Sequence, residues 1–344
     1  MKARLAIAGF ALVASCATPE PGVPALDPAY PRAPNESAAP VMRERALSVM
    51  GSSLELRVIG PDPALLEAAL DAAVAELRRI EDVMTDWRPS PLEELNAAAG
   101  RGPVRVPPEL AEILALAGEV SALTDGAFDV TFAGAGRLWD FRARPPRVPS
   151  DEVLARALRD VGWRRVRVDI ASSTVELEAG TRIGLGGIAQ GFGADRAMAV
   201  LREHGVEHAI VNVSGDVKAL GRRFDEPWEI AIVHPRRREH VIAVLPVSNT
   251  CVVTSGDYER FFELDGRRYH HILDPRTGRP SNGCMSATVV APDATLADAL
   301  ATGLCVMGAE RGMELVERLP RVEALLVDLE GRVHVSSGLR GARR

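Results

Sequence analysis

The chain has 344 residues, of which 47% are hydrophobic and 26% are charged. These values are ordinary for globular proteins, and they exclude a disordered, collagen-like or multi-span membrane protein. The formal net charge is −6, so no basic field favours nucleic acid as the main partner, and we expect no nucleic-acid binding.

The first residues are typical of an export signal. Two positive residues precede an apolar run over residues 5–13, which is shorter than the ~20 residues that span a bilayer. The run ends at Cys16, in a sequence similar to the bacterial lipobox, where the cysteine thiol receives a lipid. We expect a signal peptide over residues 1–15 and a membrane anchor at Cys16, which places a lipoprotein on the periplasmic side of the bacterial cell envelope. An ordinary cleavable signal, with Cys16 incidental, is the alternative.

Composition also predicts the domain organisation. Prolines recur over residues 18–40, and Pro-rich segments stay extended and build no core. We interpret residues 16–45 as the lipidated cysteine and a tether, residues 46–337 as one folded domain, and residues 338–344 as a tail. The remaining cysteines are odd in number and have no close pairing, so we expect buried thiols at Cys251, Cys284 and Cys305.

The spacing of hydrophobic residues predicts the elements of the folded domain in chain order. Its first half is predicted to hold a strand over 54–59, helices over 64–84, 91–99, 108–123 and 151–161, and strands over 166–169 and 174–178. Its second half is predicted to hold a helix over 188–204 and strands over 208–213, 228–233, 241–247 and 286–290. Two hairpins, over 260–273 and 322–336, flank helices over 294–307 and 310–318. Strands and helices in this order, with few strict βαβ units, predict an α+β fold.

A glycine-rich turn over residues 184–191 (GLGGIAQG) precedes one predicted helix. The backbone of such a turn can approach a phosphate closely, and the N-terminus of a helix favours negative charge. The spacing is neither that of a dinucleotide-binding fold nor that of a P-loop. A tight packing turn without a ligand is an equally good interpretation of this motif alone.

Asp298 and Thr302 lie four residues apart in another predicted helix, so they share one face. A carboxylate and a hydroxyl offer hard oxygen ligands, which suit Mg²⁺ better than Zn²⁺. Taken alone, the pair is also explained by an Asp that complements the helix dipole and a Thr that bonds back to a carbonyl.

Two adjacent histidines, His270 and His271, precede an Asp-Pro turn. No Cys or Glu has the spacing of a zinc site around them, so general acid–base catalysis by one histidine is favoured. Asp257 lies upstream in the sequence TSGDY, and Asp129 ends the sequence GAFD after a turn. By itself the second of these motifs indicates only a loop.

Together and in order, these motifs resemble the ApbE family of FAD:protein FMN transferases. The resemblance covers residues 47–308 and is carried by segments 50–52, 84–87, 92–96, 126–129, 186–195, 212–216, 228–235, 254–258, 271–278 and 297–302. It implies a two-lobed mixed α/β body with mostly antiparallel sheets and a flavin-nucleotide cleft.

The family resemblance also implies an activity. This is the Mg²⁺-dependent transfer of FMN from FAD, the substrate, to a Thr or Ser hydroxyl of an acceptor protein, with release of AMP. One alternative is a Mg²⁺-dependent FAD pyrophosphatase that gives FMN and AMP. Another is a lipoprotein that binds FAD without turnover.

The same resemblance assigns roles to individual residues. It implies Mg²⁺ ligands at the Gly187 carbonyl, Asp298 and Thr302, a general base at His271, and an orienting role toward that histidine or the phosphates for Asp257. The residues that would contact the flavin nucleotide are Met50, Trp87, Ala127, Phe128, Asp129, Gln190 and Ile272. The chain departs from the family pattern at Gly184, where many members have Asp, and at Gln190, where many have Lys. Weaker FAD binding or slower transfer is therefore implied.

Overall fold

A computed structural model describes residues 39–340, which fall within one compact unit. The predicted signal peptide over residues 1–15, the anchor at Cys16 and most of the predicted tether lie outside the described residues. The end of the predicted tail, residues 341–344, lies outside them as well.

The strands build one large sheet and several small ones. In chain order they are β1 (Val41–Val49), β2 (Ser52–Gly60), β3 (Val104–Arg105), β4 (Val166–Asp169), β5 (Thr174–Leu177), β6 (His208–Val213), β7 (Asp216–Leu220), β8 (Trp228–His234), β9 (Arg237–Val247), β10 (Cys251–Gly256), β11 (Phe261–Leu264), β12 (Arg267–His270), β13 (Leu273–Asp274), β14 (Arg279–Pro280), β15 (Ser286–Ala291), β16 (Glu323–Val327) and β17 (Val333–Val335). The large sheet has eight strands in the order β1-β2-β6-β7-β10-β15-β16-β17, and each neighbouring pair is antiparallel.

Eight α-helices accompany these strands within residues 39–340. They are α1 (Pro63–Met84), α2 (Pro91–Ala97), α3 (Pro108–Leu123), α4 (Ala133–Gly136), α5 (Asp151–Ala157), α6 (Ala189–Glu203), α7 (Ala294–Met307) and α8 (Ala309–Val316). The start of α1 shows why the sequence forms a helix here. The carboxylate of Asp62 caps the free N–H groups of Ala64 and Leu65, and the buried residues follow at helical spacing. No helix in the described part of the chain combines the length and apolarity needed to cross a membrane.

Alternation along the central strands gives the large sheet two buried faces. Leu56 and Val211 point into the main core, which also contains the buried faces of α1, α6 and α7. The residues that alternate with these along the strands, such as Ile210 and Val252, belong to a second core on the other face. The ribbon of β8 and β9 covers this second face with Trp228, Ile232 and Leu245.

The predicted fold class is confirmed, since helices pack on antiparallel sheets in an α+β arrangement. The structured segment is longer than the predicted domain over residues 46–337. Strand β1 already begins at Val41, because it pairs with β2 along its whole length, from the pair of Val41 and Gly60 to the pair of Val49 and Ser52. A 3₁₀ turn at Ser337–Leu339 likewise extends the folded part beyond residue 337, since the backbone N–H of Ser337 donates to Glu317.

Candidate active site

The glycine-rich loop over residues 184–191 contacts α7 at Asp298. The carboxylate Oδ2 of this buried residue accepts a hydrogen bond from the backbone N–H of Gly191 at 3.0 Å. A Cβ at Gly191 would lie 2.1 Å from the carbonyl oxygen of Ala294, so only glycine lets α6 approach α7 this closely. Two motifs that are weak when taken separately therefore meet in the folded chain.

Thr302 lies one turn further along α7 and faces Gly187 of the same loop. A Cβ at Gly187 would lie 3.1 Å from Thr302 Oγ1, so the backbone of the loop passes directly over this hydroxyl. Thr302 Oγ1 is also 3.2 Å from the hydroxyl oxygen of Ser255 in β10. The three predicted metal ligands, Gly187, Asp298 and Thr302, thus lie beside one another.

Asp216, the first residue of β7, is a second buried carboxylate close to Asp298. Burial and the charge of Asp298 raise the pKa of Asp216 well above its ordinary value. Burial also raises the pKa of Asp298 to about 7, against the opposing hydrogen bonds from the backbone of Gly191 and Gln190. The sequence placed Asp216 in a family motif but gave no reason to pair it with Asp298.

Within residues 39–340, neither Asp216 nor Asp298 forms an ion pair with Lys, Arg or His. Two buried carboxylates without a positive partner are costly to ionise, and a bound cation would remove that cost. In the same range, no three His, Cys, Asp or Glu side chains gather as a metal-binding group. The donor set is therefore two carboxylates with hydroxyl and carbonyl oxygens, a chemistry that fits Mg²⁺ rather than Zn²⁺.

Trp87 lies against Gly51, and the preceding residue, Met50, lies against Gly193 of α6. The Trp87 ring is 3.8 Å from the position that a Cβ would take at Gly51, and Met50 Sδ is 2.9 Å from the corresponding position at Gly193. Trp87 is 62% exposed, so it is a surface ring and not a core aromatic. An exposed flat ring of this kind is suited to stacking on another flat ring.

Ala127 and Phe128 are buried behind the loop, and Phe128 approaches both Gly187 and Gly303. The carboxylate of Asp129 has local partners. Its Oδ1 accepts from the N–H of Thr131 at 2.8 Å and its Oδ2 accepts from the N–H of Trp163 at 2.8 Å. In this structure Asp129 therefore holds two loops together, and its contact with a flavin stays a prediction.

Gln190 and Ile272, the other predicted nucleotide contacts, differ in their surroundings. Gln190 lies in the first turn of α6 and is partly buried, next to the carboxylate of Asp298. Ile272 is buried in the main core, and its carbonyl accepts from the N–H of Ser281 at 2.9 Å. Gly184 packs tightly, since a Cβ there would lie 2.8 Å from Ala133 Cβ.

His271 directly follows β12 and lies opposite Arg260. Its backbone N–H donates to the Arg260 carbonyl at 3.0 Å, and its Nδ1 is buried without a hydrogen-bond partner among the described residues. Burial, followed by the charges of Arg260 and His270, lowers the pKa of His271 to about 3. The imidazole is therefore neutral at physiological pH, which is the form that can accept a proton.

Asp257 is paired with Arg236, and its predicted orienting role toward His271 or the phosphates stays a prediction. Arg236 donates to both carboxylate oxygens of the buried Asp257, at 2.5 and 2.6 Å. The charge of Asp257 acts on His270, which points to the opposite face of the ribbon from His271. The pairing with Arg236 was not visible in the sequence, because the two residues lie on different elements.

The sequence model of the ApbE family matches residues 50–326. This chain belongs to the ApbE family. It is 36% identical over 314 residues to the FAD:protein FMN transferase of Treponema pallidum (strain Nichols), an alignment that spans 86% of this chain and 87% of the relative. It is 33% identical over 296 residues to a protein of the same name from Klebsiella pneumoniae (strain 342), spanning 85% of this chain and 91% of the relative.

Solved ApbE structures share the fold. The ApbE protein of Thermotoga maritima superposes with a TM-score of 0.79 at 34% identity, over 88% of this chain and 100% of that protein. The flavin transferase ApbE from Vibrio cholerae gives a TM-score of 0.79 at 30% identity, over 88% of this chain and 99% of that protein. The antiparallel α+β architecture described above is thus the ApbE architecture.

Proposed function

We propose that this chain transfers FMN from FAD to a Thr or Ser hydroxyl of an acceptor protein, with Mg²⁺ as cofactor and AMP as the other product. FMN transfer to a protein is the activity for which its ApbE relatives are named. The single observation that carries the proposal for this chain is the convergence of Gly187, Asp298 and Thr302, next to the unpaired carboxylate of Asp216.

The donor atoms around Asp298 fit a hard divalent cation. The carboxylate of Asp298, the hydroxyl of Thr302 and the carbonyl of Gly187 would hold Mg²⁺, and Asp216 adds negative charge behind them. When bound, the ion would neutralise charge on the diphosphate and on the departing AMP. Gln190, at the start of α6, can donate a hydrogen bond to the same phosphates but adds no charge.

His271 is the proposed general base. It is neutral, and its Nδ1 is closed off from solvent, so we assign the incoming proton to Nε2. The hydroxyl oxygen of the acceptor forms a bond to the phosphorus of the FMN half, and the bond from that phosphorus to the oxygen of AMP breaks. AMP leaves with the electron pair, while His271 carries the proton of the hydroxyl.

An exposed ring and a buried pocket wall would position the flavin. Trp87 offers a flat face for stacking, and its ring lies against Gly51, which follows Met50. Ala127 and Phe128 close the site behind the loop and keep water away from the phosphates.

One assay separates transfer from its alternatives. The full chain is incubated with FAD, Mg²⁺ and an acceptor protein that presents an exposed Thr, and all products are analysed by mass spectrometry. Transfer gives an acceptor heavier by one FMN, lost when its Thr is changed to Val. Free FMN and AMP formed without acceptor would instead indicate a pyrophosphatase, and intact FAD would indicate binding alone. His271→Ala is expected to retain FAD but to form no adduct.

We also propose that the protein is anchored in a membrane of the cell envelope through a lipid on Cys16, and that it acts on the periplasmic side. The support is the lipobox-like sequence at the end of the apolar run. A Cys16→Ser variant should lose the lipid mass and leave the membrane fraction. If that variant stays in the membrane fraction like the unchanged chain, the anchor proposal is refuted.

A further inference from the structure

We propose that Arg260 and Arg142 form a cationic subsite that binds the phosphates of FAD beside His271. This inference deepens the proposed function and rests on it, because it takes His271 as the base of the transfer. It assigns phosphate recognition to two side chains that lie outside both the glycine-rich loop and α7.

The register of the β11–β12 ribbon places Arg260 next to His271. Phe262 pairs with Tyr269 and Phe261 pairs with His270, so the next pair joins Arg260 to His271. The hydrogen bond from the His271 N–H to the Arg260 carbonyl, at 3.0 Å, shows that the pairing continues. Side chains directly opposite each other in an antiparallel pair share one face, with Cβ atoms about 5 Å apart.

A separate loop brings Arg142 to the same face. Phe141 packs 6.0 Å from Phe262, and Trp139 packs 5.9 Å from Tyr269, centroid to centroid. The Trp139 Nε1–H also donates to the carbonyl of Gly278 at 2.8 Å, which fixes the loop on the ribbon. Arg142 follows Phe141 directly. Burial lowers the pKa of Arg260, and the charge of Arg142 lowers it further, in keeping with two guanidinium groups on one face.

Within residues 39–340, Arg260 and Arg142 have no acidic partner at ion-pair distance, whereas Arg268 pairs with Glu263 and Arg238 pairs with Glu259. In the described part of the chain, the exposed side chains of Arg260 and Arg142 form neither an ion pair nor a hydrogen bond. The charge of Glu259, which is paired with Arg238, partly opposes the repulsion between Arg260 and Arg142. An anion between the two guanidinium groups would replace that repulsion by attraction.

The chemistry at His271 identifies that anion. A base that takes the proton of an attacking hydroxyl must lie within about 3 Å of its oxygen, which in turn approaches phosphorus to about 3 Å. A guanidinium opposite His271 therefore faces the phosphates of FAD. Arginine matches phosphate oxygens with two parallel N–H donors, so the pair recognises phosphate by geometry as well as by charge.

The test measures ligand binding by the full chain without Mg²⁺ and without acceptor, so that no turnover occurs. Binding of FAD and of riboflavin, which has no phosphate, is followed by flavin fluorescence for Arg260→Gln, Arg260→Lys and Arg142→Gln. The matched control is Arg267→Gln, on the same face of β12 but four residues, or about 13 Å, from His271.

Arg260→Gln should weaken FAD binding about tenfold or more, as expected for a lost hydrogen bond to a charged group, and leave riboflavin binding unchanged. Arg260→Lys should keep part of the FAD affinity. Arg142→Gln should also weaken FAD binding, whereas Arg267→Gln should bind FAD as tightly as the unchanged chain. Unaltered FAD binding in Arg260→Gln, or an equal loss for riboflavin, would overturn the assignment.

These binding results are independent of catalysis. If the unchanged chain fails to attach FMN to any acceptor, the proposed function is refuted, while the difference between FAD and riboflavin still decides whether Arg260 binds phosphate. If the unchanged chain transfers FMN and Arg260→Gln binds FAD equally well, only the inference about Arg260 is refuted.

Discussion

Asp298 in α7 accepts a hydrogen bond from the backbone N–H of Gly191 at 3.0 Å, although 107 positions separate the two residues in the sequence. This contact ties the glycine-rich loop to the helix that carries the oxygen donors. It depends on close packing of α6 against α7, which a side chain at Gly191 would prevent. The proposed cation site is thus a consequence of how two helices pack.

The first prediction concerns Asp298 and pH. Its pKa is about 7 in the folded chain, against about 3.9 when unfolded, so the folded state binds the proton more tightly. The bound proton stabilises the folded state fully below about pH 4, and this stabilisation is lost as the pH rises towards about 7. Without metal, the melting temperature should therefore decrease over this pH range, and the decrease should be smaller in Asp298→Asn.

Mg²⁺ should compensate for that loss. We expect it to raise the melting temperature more at about pH 8 than at about pH 5, because it binds the ionised carboxylate. Asp298→Asn should remove this Mg²⁺ effect and slow transfer about a hundredfold or more. An equal Mg²⁺ shift in Asp298→Asn would show that the ion binds elsewhere.

The second prediction uses two adjacent glycines. A Cβ at Gly187 would lie 3.1 Å from Thr302 Oγ1, whereas a Cβ at Gly186 meets nothing within 4 Å. Gly187→Ala should displace the hydroxyl and raise the Mg²⁺ concentration needed for half-maximal transfer about tenfold, while Gly186→Ala should behave like the unchanged chain. Mg²⁺ titrations of the transfer rate check this, and equal behaviour of the two variants would contradict it.

The third prediction tests Trp87 as a stacking surface. Because its ring is 62% exposed, Trp87→Ala should change the free energy of unfolding by less than about 0.5 kcal/mol. It should nevertheless weaken FAD binding several-fold, in line with about 1 kcal/mol for an aromatic pair. Trp87→Phe should restore most of the affinity. Phe224→Ala, at another exposed aromatic residue, is the control and should leave FAD binding unchanged.

The fourth prediction concerns the buried ion pair of Asp257 with Arg236. Removing one partner of its buried bidentate pair with Arg236 leaves an uncompensated charge, so Asp257→Asn should lower the free energy of unfolding by about 2 kcal/mol or more. Glu259→Gln, in the exposed pair with Arg238, should cost less than about 0.5 kcal/mol. Urea unfolding measures both, and equal stability of the two variants would refute the distinction.

Strongly periodic segments were predicted well. The spacing of apolar residues gave α3 and α7 with the observed bounds, and α1 within one residue, because apolar residues that become buried recur along each of these helices. Strands β7 and β10 were missed, since central strands buried on both faces show no alternation. Strand β1 was missed because its charged residues resemble a tether until Glu67 of α1 is placed beside them.

The candidate site was predicted in part. The i, i+4 spacing brings Asp298 and Thr302 to one face of a helix, and the motif order of the ApbE family supplied Gly187. The pairing of Asp216 with Asp298 joins a strand to a helix, and the pairing of Asp257 with Arg236 joins two turns. These are tertiary relationships, and local sequence patterns do not encode which elements become neighbours.

The most direct test of the account locates the cation itself. Crystals of the protein grown with FAD and Mn²⁺, which takes the same oxygen ligands as Mg²⁺, are measured at the manganese absorption edge. We predict an anomalous peak about 2.2 Å from the carboxylate of Asp298, the hydroxyl of Thr302 and the carbonyl of Gly187, in contact with the FAD phosphates. A peak bound to other residues, or FAD bound in this cleft with no metal at Asp298, would contradict the account.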